Sequence, residues 1–110
     1  MGSPSTTEVR LYKSVVAYGT DSIDYIVPNG QILSLIEIGI NATPGVADTH
    51  VQIIWDPAGA NENILSGYGD SVQKCTLQKS GDGSKVMRIL LTNNDSPSRF
   101  LGGYFIGEVS

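Results

Sequence analysis

One cysteine and one histidine occur in 110 residues. A disulfide framework within one chain is therefore excluded, and so is a metal centre built from several cysteines and histidines. Positive charge is scarce as well: seven Lys and Arg stand against eleven Asp and Glu, a formal net charge of −4. Non-specific binding to nucleic acid or to an anionic membrane surface needs clustered positive charge, which this balance does not supply. No apolar run approaches the roughly 20 residues that span a bilayer as a helix. The first seven residues, Met-Gly-Ser-Pro-Ser-Thr-Thr, have neither a basic segment nor an apolar one, so no secretory signal is expected. No Gly-x-Ser-x-Gly, His-Glu-x-x-His or phosphate-binding loop occurs either. The chain is expected to be no enzyme and to need no cofactor.

Helical periodicity is the last absence. Nowhere do apolar residues keep an i, i+3, i+4, i+7 spacing for about ten residues, so no α-helix longer than one turn is expected. What is present is alternation. Thirteen Gly and five Pro divide the chain into short segments, as many strands joined by tight turns require. Val9, Leu11, Val15 and Ala17 form one apolar face, interrupted by Lys13. Ile23, Tyr25 and Val27 follow, and Pro28-Asn29-Gly30 is a strong turn signal. The third strand, from Ile32 to Ala42, places Ile32, Ile36, Ile38 and Ile40 on its apolar face and Leu33, Leu35, Glu37, Gly39 and Asn41 opposite. Thr43-Pro44-Gly45 ends it. Val51, Ile53 and Trp55 form the fourth strand, and a weak fifth covers Asn63 to Tyr68. The sixth runs from Val72 to Lys79 with Cys75 and Leu77 inward, and Ser80-Gly81-Asp82-Gly83 has the chemistry of a hairpin turn. Met87, Ile89 and Leu91 mark the seventh strand, and Leu101, Phe105 and Val109 the last.

Seven or eight short strands at such spacing predict an all-β fold, an antiparallel β-sandwich without significant helix. Eight strands favour a jelly roll over an immunoglobulin fold, and the Cys–Trp–Cys pattern of immunoglobulin domains is missing because Cys75 stands alone. Residues 1–8 read as a small polar N-terminal arm, flexible or bound to a partner, and residues 9–110 as one sandwich domain.

Candidate chemistry is sparse. His50 lies at a strand start and Cys75 within a strand, where a free cysteine behaves as a small hydrophobe. The loop carboxylates Asp21, Asp24, Asp48, Asp56, Asp70, Asp82 and Asp95 could bind Ca²⁺ or act as a glycosidase pair only if the fold gathered them. Trp55, Asp56 and Tyr68 are the residues for a sugar-stacking platform, although Trp55 also shares a face with Val51 and Ile53. Apolar surplus is more informative. Val16, Leu33, Leu35, Ile54 and Leu90 lie opposite the expected core faces. The last strand is apolar on both sides, with Phe100, Tyr104 and Ile106 against Leu101, Phe105 and Val109. Such surplus in a small domain predicts an interface.

The run Tyr25-Ile26-Val27-Pro28-Asn29-Gly30-Gln31-Ile32-Leu33-Ser34-Leu35 resembles a hairpin common in small β-sandwich virion proteins of tailed bacteriophages. Arg88-Ile89-Leu90-Leu91-Thr92-Asn93-Asn94-Asp95 and Gly102-Gly103-Tyr104-Phe105-Ile106-Gly107 look like the paired closing strands of those domains. The resemblance implies a structural protein of the virion, either a capsid decoration protein or the receptor- or carbohydrate-binding tip of a tail fibre. A single small domain with a short arm fits the decoration type better than a long, repetitive fibre. The implied partners are the major capsid protein and copies of the chain itself, as a homotrimer on the capsid surface. The implied contacts are the arm residues Ser3, Pro4, Ser5, Thr6 and Thr7, with Phe100, Tyr104 and Ile106.

Overall fold

β-Branched and aromatic residues alternating with polar ones form strands because a pleated strand sends successive side chains to opposite faces. The computed structural model describes residues 5–41, 49–67 and 70–110. Among the described residues there are nine strands: β1 (Ser5–Val15), β2 (Thr20–Ile26), β3 (Ile32–Asn41), β4 (Thr49–Trp55), β5 (Glu62–Gly67), β6 (Asp70–Lys74), β7 (Gln78–Ser80), β8 (Val86–Asn93) and β9 (Arg99–Val109). Every pairing is antiparallel. Sheet A has the order β1-β9-β3-β6, with β7 also on β3, and sheet B the order β2-β8-β4-β5. Strands β6 and β7 are one strand interrupted at residues 75–77, so two four-stranded sheets face each other. Strand pairs β1/β9, β2/β8, β3/β6–β7 and β4/β5 describe a folded ribbon wound into two sheets, which is the jelly-roll topology. The all-β sandwich expected from the sequence is what the structure shows, with one strand divided in two.

The core lies between the sheets. Val15, Leu33, Leu35, Ile38 and Ile40 of sheet A meet Val51, Ile53, Trp55, Met87, Ile89 and Leu91 of sheet B, closed by Leu101, Phe105 and Val109. The expected inward faces of β4, β8 and β9 are found as read. On β3 the reading fails at one residue. Leu35 pairs with Gly107 but Glu37 with Ile106, so Ile36 is a β-bulge. A bulge inserts one residue into a period of two and exchanges the faces. Leu33 and Leu35 therefore point inward, 0% and 2% exposed, as do Ile38 and Ile40 beyond the bulge, whereas Ile32 and Ile36 are exposed. The interrupted strand answers the bulge. The Cys75 N–H donates to the Ile36 carbonyl at 2.8 Å and the Leu35 N–H to the Leu77 carbonyl at 2.8 Å. Cys75 is half-buried against the core, but Leu77 is exposed rather than inward.

Two readings of turns also need correction. The Pro28-Asn29-Gly30 segment is a turn, with Gln31 N–H donating to the Pro28 carbonyl at 3.1 Å and Gly30 at φ 79°. It is not a hairpin, because it carries the chain from sheet B into sheet A. The Ser80–Gly83 turn likewise passes from β7 in sheet A to β8 in sheet B, and β8 and β9 lie in opposite sheets rather than paired. Asp82 organises the second crossing, accepting the Ser84 and Lys85 N–H groups at 2.9 and 2.8 Å and the Ser84 hydroxyl at 2.9 Å. Those donors, the Lys85 amide first, hold its carboxyl down at about 2.

The N-terminal segment differs from its reading as well. Ser5, Thr6, Thr7 and Glu8 do not form an arm but extend β1, in register opposite Val109, Glu108, Gly107 and Ile106. Ser3 and Pro4 lie outside the described residues, as do the Thr43–Gly45 break, Asp48 and Tyr68.

Two ion pairs close the open sides of the sandwich. On one side Lys13 of β1 meets Asp21 of β2, and on the other Lys79 of β7 meets Glu62 of β5. Lys13 interrupts the apolar face of β1 because that position reaches the rim. At the end of the barrel-like stack where β1 turns into β2, Asn93 is the tie. Fully buried, its side-chain amide donates to the carbonyls of Val15 (3.0 Å), Val16 (3.2 Å) and Pro97 (3.0 Å). Its carboxamide oxygen accepts the Asp95 N–H at 2.9 Å.

Candidate interaction surface

The outer face of sheet A is built in rows across its strands. Glu8, Ile106, Glu37 and Lys74 form one row, Arg10, Tyr104, Gly39 and Val72 the next, and Tyr12, Gly102, Asn41 and Asp70 the third. Phe100 opposite Ser14 follows, and Val16 continues the same face of β1. Two tyrosines lie flat on this face because glycines sit beneath them. A Cβ at Gly39 would meet the Tyr104 ring at 2.2 Å, and one at Gly102 the Tyr12 ring at 2.0 Å. Each ring thus covers a neighbouring strand where no side chain stands in the way.

Polar groups fix the Tyr104 ring. Its hydroxyl donates to Glu37 Oε2 at 2.7 Å, while Lys74 Nζ donates to Glu37 Oε1 at 2.8 Å. The Arg10 guanidinium lies 4.8 Å from the Tyr104 ring centroid, in the range of a cation–π contact, and also pairs with Glu8. The Lys74 ammonium and then the Tyr104 hydroxyl hold the Glu37 carboxyl below its ordinary value. The hydrogen bond to Glu37, and then burial, push the Tyr104 hydroxyl up to about 12. Asn41 donates to Asp70 at 2.6 Å in the third row.

Of the expected contact residues, Tyr104 is thus buried beneath Arg10 and bonded within its own sheet, and Ile106 is half-buried. Phe100 is the open one, 58% exposed. Tyr12 on the same face is 39% exposed, and just beyond the end of β1 Val16 and Tyr18 are 68% and 72% exposed, so exposed apolar side chains continue into the following turn as a stripe that sequence alternation did not delimit. Exposure rises along the stripe towards the end of the sandwich. Of the other apolar positions read as outward, Leu33, Leu35 and Ile54 are buried and Leu90 is half-buried, so much of the expected surplus is core.

Trp55 is 6% exposed inside the core cluster, so it presents no face to a sugar. Asp56 is engaged in its own loop. Its carboxylate accepts the Ala60 N–H at 3.0 Å and its carbonyl the Gly59 and Asn61 N–H groups at 3.0 and 2.7 Å. The loop carboxylates are dispersed as well. Asp21 pairs with Lys13, Asp24 with Arg88, Asp70 with Asn41 and Asp95 with Arg99. His50 is half-buried on β4. Among the described residues no group of three or more His, Cys, Asp or Glu is placed to hold a metal ion, and every buried side-chain nitrogen and oxygen has a hydrogen-bond partner. What this face offers is an aromatic and apolar surface with paired charges along one border.

No family model and no curated protein matches the sequence. The fold does have solved counterparts. A Yersinia pseudotuberculosis-derived mitogen superposes with a TM-score of 0.54 at 14% identity, covering 93% of this chain and 84% of that one. The Aeromonas hydrophila protein PliG, a periplasmic lysozyme inhibitor of g-type lysozyme, gives 0.49 at 16% identity, covering 92% and 85%. The Drosophila NLP core, described for pentamer formation and histone binding, gives 0.44 at 12%, covering 92% and 97%. At these identities the likeness to the mitogen is one of fold, and it places this chain among antiparallel β-sandwiches.

Proposed function

We propose that the chain is a non-enzymatic structural protein of a bacteriophage virion, a decoration protein that docks on the major capsid protein at the outer surface of the head. The observation that carries this reading is the group of exposed apolar side chains Tyr12, Phe100, Val16 and Tyr18 at one end of the sandwich, three of them more than half exposed. Apolar side chains gathered on one face mark a protein-binding surface. At roughly 25 cal/mol per Å² of apolar area, such a patch gives each copy a modest affinity. Many copies on one shell then act together by multivalency. The net charge of −4 suits a protein partner better than a DNA-facing surface. The resemblance of the Tyr25–Leu35 and Arg88–Gly107 segments to small phage sandwich proteins points the same way, as a likeness of pattern on turns that join opposite sheets. The sugar platform on Trp55 and Asp56 is not retained.

The experiment is co-sedimentation of the purified chain with heads of the phage that encodes it. Saturable binding is expected for the wild-type chain, and a sharp loss for the Val16→Ser/Phe100→Ser variant, whose melting should be unchanged. Failure of the wild-type chain to co-sediment with its own heads would end this reading.

A further inference from the structure

A sandwich has four sheet edges, and among the described residues of this one they are unequally protected. Edge strands need protection because their outer N–H and C=O groups can pair with another chain. β5 is six residues long and irregular, with a register shift between Ile53 and Ile54 of its partner. The edge at β6 and β7 is broken at residues 75–77. β2 is only seven residues long, and its charged residues Asp21 and Asp24 are held in ion pairs with Lys13 and Arg88, so the edge carries charge and is short. β1 differs from all three. It pairs with β9 over 11 residues, Ser5 opposite Val109 through Val15 opposite Arg99, without a register shift. It contains no proline or glycine, and its one inward charge, Lys13, lies near its far end.

We propose that two copies of this chain associate through β1, antiparallel about a two-fold axis at Val9, joining their A sheets into one continuous sheet. The charges select this register. Opposed residues in an antiparallel pair share a face, so only registers that set even-numbered residues against even-numbered ones keep the two outer faces on the same side. With Val9 opposite Val9 of the second copy, Glu8 faces Arg10 and Arg10 faces Glu8, giving two cross-strand ion pairs. A shift of one register step either way sets Glu8 against Glu8 or Arg10 against Arg10. On the inner face the same register brings Thr7 opposite Leu11. Thr7, Val9 and Leu11 are all half-buried in one copy, so an added strand would cover surface that a single sandwich leaves partly open. Glu8 and Arg10 already touch within one strand, on that outer face, and each can exchange its partner for the equivalent group of the second copy.

The pair is isologous and closes on itself. It therefore differs from the homotrimer expected from the sequence. It would also display two copies of the Tyr12–Phe100–Val16 stripe on one side of a shared sheet, although the pairing itself does not depend on what the stripe binds.

The test is solution mass by light scattering on the full chain, with melting by circular dichroism to confirm folding. Wild type should run at twice the mass of the 11.7 kDa chain, and dissociate as ionic strength rises. Arg10→Glu and Glu8→Arg should each be folded and monomeric. The double swap Glu8→Arg/Arg10→Glu should restore the dimer. A wild-type chain that stays monomeric up to near-millimolar concentration, or that forms a trimer, overturns the proposal. So does a folded double swap that remains monomeric, because the register alone predicts its rescue. Should the charge variants not fold, Val9→Cys in a Cys75→Ser background decides the matter. A covalent dimer under mild oxidation supports the two-fold at Val9, and exclusive monomer overturns it.

Discussion

The outer faces of the two sheets arise from the same alternation and carry different chemistry. On sheet B the rows read Thr20, Thr92, His50, then Ser22, Leu90, Gln52, Ser66, then Asp24, Arg88, Ile54, Asn63, and last the apolar pair Ile26 and Val86. Short polar side chains dominate, and a two-pronged Arg88–Asp24 pair at 2.7 and 3.0 Å spans two strands. On sheet A glycines at positions 39 and 102 let tyrosines lie across the strands, and an apolar stripe runs to the end of the sandwich. Alternation decides which residues leave the core. Whether the outward set ends in water or forms a second packed layer depends on glycines beneath aromatic rings, which stand on the neighbouring strand and outside any local pattern.

The largest expected effect breaks the tie on which both sheets depend. Asn93→Ala removes donors from three carbonyls and should cost about 2–4 kcal/mol by chemical denaturation, since each lost hydrogen bond costs about 1 and buried unpaired carbonyls add more. The face-to-face contrast is sharpened next. Gly39→Ala puts a methyl into the Tyr104 ring and should destabilise by about 1–3 kcal/mol, as overpacking does. Gln52→Ala on the outer face of sheet B should stay within about 0.5 kcal/mol. Equal effects at both sites would show that sheet A has no packed outer layer.

The third contrast is alkaline. The Tyr104 hydroxyl titrates higher in the folded protein, about 12, than its ordinary value of 10.0. Its hydrogen bond therefore contributes fully below pH 10 and is lost as pH climbs towards 12. Melting followed over that window should fall more steeply for wild type than for Tyr104→Phe, and parallel curves would refute a role for the bond. The smallest effect belongs to sheet B. The Arg88 guanidinium holds the Asp24 carboxyl below its ordinary value. Its contribution is present above the unfolded carboxylate range and lost as pH falls through the lower folded value. Because both side chains are about a third exposed, a double-mutant cycle with Asp24→Asn and Arg88→Met should give only about 0.2–1 kcal/mol.

The sandwich was legible in the sequence wherever one face kept an apolar residue at every second position, as at Val51, Ile53 and Trp55 of β4, at Met87, Ile89 and Leu91 of β8, and at Leu101, Phe105 and Val109 of β9. Ile36 was not legible. Nothing in Leu33-Ser34-Leu35-Ile36-Glu37-Ile38 marks a bulge, because leucine and isoleucine suit either face and the shift is set by pairing with Gly107 and Ile106. Turn residues showed where the chain reverses but not which sheet it enters, so Pro28–Gly30 and Ser80–Gly83 read as hairpins although both are crossings. The apolar stripe was half visible. Phe100 and Val16 stood out as surplus, while Tyr12 gained its place only through Gly102 on the next strand. Burial of Tyr104 depends on Gly39, Glu37 and Arg10, three residues that only the sheet order brings together.

Strands β1 and β9 run side by side with Ser5 opposite Val109, so the first and last strands of the described sandwich begin and end at one corner. That corner lies at the opposite end of the strands from Val16 and Tyr18. A peptide or reporter fused at either end would project away from the apolar tip, and a short linker could join the ends while new ones are opened elsewhere.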